Sequence, residues 1–273
     1  MKNAKQVANA ATFNGSDDFE YIEPQVRQID EIKDALRTLS ILNWYSVHKG
    51  IQMQIEDEDI QVVDDPSLPI DLVVNGEVIR KDVWDDISTR LDYVEKTFET
   101  DHFGSRSDFE WGMDIGKLFG LRWVIGEEWA DDLLLLDSSD ECDLAEYNLP
   151  CGNSNSFALI PETVTKVRSE FMVRENVEKL TDQVWYNRHM VLREKIEDGI
   201  IKIVEADNYQ FSKHDVTICR DTLKGALRAA KDVEDLYGID SLGPWTDLEW
   251  GIVNGKLSAL RWVLGDEWDQ LDT

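Results

Sequence analysis

The chain has 273 residues, 42% of them hydrophobic, which is enough to build one or two packed cores. It carries 56 acidic against 28 basic residues, a formal net charge of −28; such a field disfavours direct contact with nucleic acid or anionic membrane and favours a basic partner. There is no apolar run of about 18 residues to span a membrane and no apolar signal region near Met1, and the three cysteines (Cys142, Cys151, Cys219) have no metal-binding spacing, so a reduced cytoplasmic setting is expected.

Residues 1–20 are polar and predict a disordered N-terminus. Residues 21–136 read as a first, acidic helical module. It opens with a helix from about Asp30 to Ile55 that carries Trp44, Tyr45 and His48. The run Leu72-Val-Val-Asn-Gly-Glu-Val-Ile79 predicts a β-hairpin, because Asn75-Gly76 suits a type I′ turn. A second helix, Asp82 to Phe98, sets Val83, Ile87, Leu91 and Val94 on one face. A short turn at Gly104 leads to the third helix, and these two are expected to form a helical hairpin. Ser107 with Glu110 is a capping box that starts the third helix, and Gly126 suits the left-handed residue that ends it.

Residues 137–160, with Ser138, Ser139, Pro150, Gly152, Asn153 and Ser154, read as a linker. Residues 161–273 then read as a second helical module. Its first helix, Asp182 to Asp198, carries Trp185, Tyr186 and His189 and stops at Gly199. Ile200 to Val204 and Val216 to Cys219 are rich in β-branched residues and predict a two-stranded element. Asp221 to Tyr237 sets Leu223, Ala226, Leu227, Ala230 and Val233 on one face. After Gly243, Thr246 with Glu249 caps the last helix, which ends at Gly265.

The two modules match. From Asp108 to Trp129 and from Asp247 to Trp268, 14 of 22 positions are identical without a gap. Farther upstream Trp44-Tyr45 with His48 answers Trp185-Tyr186 with His189, and Ile55-Glu56-Asp57 answers Ile196-Glu197-Asp198. The expected fold is therefore mainly α: a tandem duplication of a three-helix module, each copy with a small β-hairpin insertion. The repeated helix supplies Trp111, Gly112, Gly116, Arg122 and Trp123 in one copy, and Trp250, Gly251, Gly255, Arg261 and Trp262 in the other. Glycines spaced four apart, with Gly120 and Ala259 continuing the series, are costly inside a helix unless another backbone lies against them. We read the stripe as a packing device, and the repeated Lys117, Arg122, Lys256 and Arg261 as ion-pairing residues of the same helices.

The second module resembles a group of small uncharacterised bacterial proteins. The resemblance rests on Trp185-Tyr-Asn-Arg-His189, on Lys224-Gly-Ala-Leu, and on Gly243-Pro-Trp-Thr-Asp-Leu-Glu-Trp-Gly through Leu-Asp-Thr273. It covers about a third of the chain. It implies no activity and brings no catalytic residue. The first module departs from it, with Ser46-Val47 in place of Asn187-Arg188 and Asp85-Asp86 in place of Lys224-Gly225.

Nucleophile, phosphate-loop and dinucleotide motifs are absent, so no catalytic residue, metal or cofactor is assigned. His48 and His189 lack a second ligand at helical spacing, since Gln52 and Arg193 stand four residues on, and are expected to bond locally. The acids are distributed unevenly: residues 1–150 hold 34 acids and 13 bases, whereas residues 151–273 hold 22 and 15. The expected function is therefore non-enzymatic binding of a protein partner with a basic surface. Its contacts would be Glu56, Asp57, Glu58, Asp59, Asp64, Asp65, Asp82, Asp85, Asp86, Glu127, Glu128, Asp131 and Asp132. In its sharper form these carboxylates mimic nucleic-acid phosphates and inhibit a nuclease or another nucleic-acid-binding protein, as in phage counter-defence. One alternative is a magnesium-dependent enzyme, because Glu127, Glu128, Asp131 and Asp132 resemble the carboxylate pattern of all-α nucleotide pyrophosphohydrolases. Another is a structural or assembly subunit that forms homo-oligomers through the glycine stripe. Acidity also serves plain solubility.

Overall fold

A computed structural model of the chain describes residues 26–68, 77–98, 100, 106–127, 129, 165–206, 216–243 and 245–271. The expected disordered N-terminus (1–20) and linker (137–160) lie outside these residues, as do Cys142 and Cys151. The described chain is mainly helical. In order it runs α1 (Ile29–Glu56), β1 (Gln61–Val63), β2 (Val78–Arg80), α2 (Lys81–Thr97), α3 (Asp108–Val124), α4 (Glu170–Glu197), β3 (Lys202–Val204), β4 (Thr217–Cys219), α5 (Arg220–Tyr237) and α6 (Asp247–Val263). None of these helices is long and apolar enough to cross a membrane.

Helix starts follow local side-chain chemistry. Ser107 Oγ accepts from the Glu110 N–H at 3.3 Å while Ser107 N–H donates to Glu110 Oε2 at 2.9 Å. Thr246 and Glu249 repeat this at 3.3 and 2.7 Å, so both predicted capping boxes form. The helices end where Gly126 and Gly265 turn left-handed, at φ 111° and 103°. α4 begins well before the predicted Asp182. Ser169 caps it by accepting from the Met172 N–H, and the added turns bury Val173 and Leu180.

The strand pairs correct one expectation. β1 pairs with β2 in parallel, with Gln61 opposite Val78 and Val63 opposite Arg80, and β3 pairs with β4 in the same sense. Parallel pairing cannot be closed by a two-residue turn and needs a longer connection, which residues 64–77 supply in the first pair. Thus Val78 and Ile79 do enter a strand, but its partner is not the expected hairpin arm, and Asn75-Gly76 lies outside the described residues. Each second strand runs straight into a helix, β2 into α2 and β4 into α5.

A second correction concerns helix partners. α2 packs on α1 and α5 packs on α4, while α3 and α6 pack on each other rather than folding back as hairpins. The reason is the glycine stripe. Gly112, Gly116 and Gly120 face Gly251, Gly255 and Ala259 in that order, so the two helices run parallel with their backbones touching. A Cβ built on Gly112 would overlap the Leu248 carbonyl oxygen and lie 3.0 Å from the Gly251 Cα. One built on Gly255 would overlap the Met113 carbonyl and lie 2.9 Å from the Gly116 Cα. Only hydrogen fits at Gly112, Gly116, Gly251 and Gly255, with the one methyl of Ala259 set against Gly120, and the close Cα–H to carbonyl approach adds weak attraction to dispersion.

Around that pair sits one shared core. Ile32 and Leu36 of α1, Leu121 and Val124 of α3, Val173, Leu180 and Val184 of α4, and Val253, Leu257 and Leu260 of α6 form a single cluster. Two smaller outer cores flank it. Trp44, Tyr45, Ile60, Ile79, Ile87, Leu91 and Val94 fill the first, and Tyr186, Ala230, Val233 and Leu242 the second. Each long helix therefore spends its early turns on the shared core and its later turns on its own outer core.

Cross-links tie the N-terminal elements (α1–α3) to the C-terminal ones (α4–α6). Arg27 N–H donates to Val263 O at 2.9 Å, and Arg168 N–H donates to Val124 O at 2.8 Å. Their guanidinium groups lie 5.1 Å from the Trp262 ring and 4.7 Å from the Trp123 ring. Lys117 reaches Asp269 at 2.8 Å beneath Trp268, and Lys256 lies 4.7 Å over the ring of Trp129. Arg122 and Arg261 pair with Glu127 and Asp266 at 2.6 and 3.1 Å. The repeated basic residues thus serve packing. Glu110 and Glu249 serve the caps.

Candidate functional site

Nine of the carboxylates assigned to partner binding lie on the stretch from the end of α1, through β1 and β2, to the first turns of α2. α1 ends at Glu56, and Asp57, Glu58 and Asp59 form the turn into β1. Asp64 and Asp65 follow β1, whose parallel partner β2 delivers Asp82, Asp85 and Asp86 in the first turns of α2. All nine are exposed. Three are neutralised locally, through Arg80–Asp82 at 2.5 Å, Lys81–Asp85 at 2.7 Å and Arg90–Asp86 at 2.7 Å. The other six form no salt bridge among the described residues. Asp65 accepts from the Ser67 N–H and hydroxyl, which holds its carboxyl below the usual range and keeps it charged.

This placement works against stability in two ways. The last turn of α1 carries no basic residue, so four acids crowd the negative end of the helix dipole, whereas α4 ends with Lys195. Glu58 also sits in the left-handed region at φ 67°, where the corresponding residue of the C-terminal half is Gly199 at φ 72°. Both turns carry matching backbone hydrogen bonds, from Glu58 to Ile55 and from Gly199 to Ile196. The turn therefore requires the conformation and not the carboxylate.

Glu127 was assigned to the same surface and to the magnesium alternative. Its carboxylate is taken by Arg122, and Glu128, Asp131 and Asp132 lie outside the described residues. Among the described residues no three or more His, Cys, Asp or Glu are grouped to hold a metal ion.

The sequence did not single out the second feature, a groove of about 510 Å³ between α4 and α6. Phe109, Val191, Leu192, Ile201, Trp245 and Trp250 give it apolar walls, Arg188, Lys195 and Asp247 lie on its rim, and Asn254 lines it from α6. Trp245 and Trp250 stack at 6.1 Å between centroids. Asn187 Nδ2 donates to Leu242 O at 3.1 Å, which fixes the loop that carries Trp245. In the N-terminal half the corresponding residues are Ser46 and Val47 (for Asn187 and Arg188), Gln54 (for Lys195), Arg106 (for Trp245) and Ile115 (for Asn254). Arg106 there is withdrawn into a largely buried ion pair with Asp114, whose carboxyl burial pushes up. The one signal in the sequence is a polar Asn254 where the matching stretch has the apolar Ile115.

The histidines are structural neighbours of tryptophan. His48 and His189 are buried and stack on Trp44 and Trp185 at 4.1 and 5.4 Å. His48 Nδ1 bonds Trp44 O at 2.7 Å, the local bond expected of it, while both ring nitrogens of His189 have no hydrogen-bond partner among the described residues. Burial lowers the His48 pKa to about 4 and that of His189 in the same direction. Tyr45 and Tyr186, beside them, donate to Glu95 and Glu234 at 2.8 and 3.0 Å.

Comparison with protein-family models, with curated proteins and with solved structures finds no match to this chain.

Proposed function

We propose that the chain is a tandem duplication of a three-helix module whose acidic N-terminal copy binds the basic surface of a protein partner, without catalysis of its own. The order helix, strand, strand, helix, helix occurs twice, and like residues face one another across α3 and α6, which supports duplication followed by divergence. The second copy then keeps its likeness to the small single-module bacterial proteins. The observation that carries the binding role is Glu58. A glutamate on a left-handed backbone stands at the dipole-disfavoured end of α1, inside a group of six acids that form no salt bridge among the described residues, where the other half has glycine. Such a residue costs stability where it stands, and contact with a basic partner is what would offset that cost.

In its sharper form the acidic end occupies a nucleic-acid-binding surface and inhibits a nuclease or a similar protein. The test is capture by the immobilised full chain at low and at about 0.5 M salt, beside the variant E56Q/D57N/E58Q/D59N. Bound protein should fall in high salt and with the variant, and double-stranded DNA or RNA should displace it if the carboxylates act as phosphates. Capture that is indifferent to both salt and variant rejects the reading.

A further inference from the structure

The groove of the C-terminal half has features that packing does not explain. Asn254 is 1% exposed, and its Nδ2 donates to Trp250 O at 2.8 Å. Its Oδ1 accepts no hydrogen bond among the described residues. The corresponding helix of the N-terminal half carries Ile115 at this position, with no amide to satisfy. The helix pair therefore does not need an asparagine at this position. The groove does.

The other lining residues say what would meet it. Trp245, Trp250 and Phe109 offer flat apolar wall to a ring. Lys195 and Arg188 set two cations on the rim of a chain whose formal charge is −28. Neither the tryptophan at 245 nor either cation recurs in the N-terminal half, where Arg106, Val47 and Gln54 stand instead. A volume of about 510 Å³ suits a small molecule and not a folded partner. We propose that this groove binds a small aromatic molecule carrying an N–H donor and a carboxylate: the ring lies against Trp245 and Trp250, the donor meets Asn254 Oδ1, and the carboxylate meets Lys195 and Arg188. The site is independent of the acidic end of the N-terminal half, so either assignment can fail alone.

The test follows the tryptophan indole N–H signals of the full chain by NMR during titration with three probes. L-phenylalanine has ring, donor and carboxylate; phenylacetate lacks the donor; phenethylamine lacks the carboxylate. The expected result is saturable movement of the Trp245 and Trp250 signals, with each truncated probe about tenfold weaker than L-phenylalanine. N254I, which installs the residue of the other half, should reduce L-phenylalanine to the affinity of phenylacetate and leave phenylacetate unchanged. K195Q, an exposed change also borrowed from the other half, should reduce L-phenylalanine towards phenethylamine and leave phenethylamine unchanged; it serves if N254I does not fold. No saturable response to L-phenylalanine overturns the proposal. So does a variant that folds and weakens all three probes equally, or none of them.

Discussion

The two halves of the molecule share their elements, caps and inner seam, yet they differ where solvent begins. The N-terminal half follows α1 with Asp57-Glu58-Asp59 after Glu56, and it carries a buried Ile115 and an ion-paired Arg106 where the other half has Asn254 and Trp245. The C-terminal half ends α4 in Lys195-Ile-Glu197 and continues through Asp198 to Gly199, so a base and a glycine temper its acids, and Trp245 and Asn254 line a groove. Like residues are kept where the halves touch each other, and unlike residues stand where each could touch something else. That contrast separates what holds the fold from what was free to specialise.

The largest expected effect tests the shared seam. G116V or G255V should each cost more than about 3 kcal/mol, because the new side chain meets backbone that cannot move aside. Urea unfolding should find the two equally damaging, since each glycine is the other's partner. G50A, on an open face of α1, should instead stabilise by up to about 1 kcal/mol. An undamaged G255V would break the comparison at its centre.

The histidines give an intermediate effect. The folded chain keeps His48 neutral down to about pH 4, whereas the unfolded chain takes up its proton near pH 6.5. Stability is therefore lost as pH falls between these values, by up to about 3 kcal/mol from this group, and the loss stops once the folded ring protonates. H48F retains a ring against Trp44 and should flatten that part of the acid profile; H189F should act with the same sign, because burial lowers both pKa values. An unchanged slope in H48F would show that its ring is not held neutral.

The smallest effect is reciprocal. E58G should stabilise the chain by about 0.5–1 kcal/mol and G199E should destabilise it by a similar amount, as read from thermal midpoints. E58G should at the same time weaken capture of the basic partner. A variant that gains stability and loses nothing in binding would reduce Glu58 to an accident of the turn.

Much of the fold was legible because its signals are local. Ser107 with Glu110 and Thr246 with Glu249 name their helix starts, and the matching run to Trp268 names the repeat. The glycine stripe announced that a backbone would lie against it, but not whose. The choice of α6 over α2 is tertiary: α6 carries the matching track of small residues. The hairpin expectation failed for a similar reason: Asn75-Gly76 is a strong local turn signal, yet Val78 and Ile79 found their partner at Gln61 to Val63. The acidic end was visible as a string of carboxylates, and the fold added that Asp82, Asp85 and Asp86 are already paired. The groove was illegible, since its lining comes from α3, α4, α6 and the loop at Trp245, and no motif links them.

The parallel α3–α6 seam also has a history on the ribosome. α3 is complete when its partner still lies 139 residues downstream. At about 5–20 residues per second that delay is roughly ten seconds or more. Throughout it a bare glycine track with flanking Leu121 and Val124 is unclaimed inside a nascent chain. A second nascent chain on the same message could supply the missing helix first, so the spacing of α3 and α6 along one chain sets up a race between folding inward and exchanging halves.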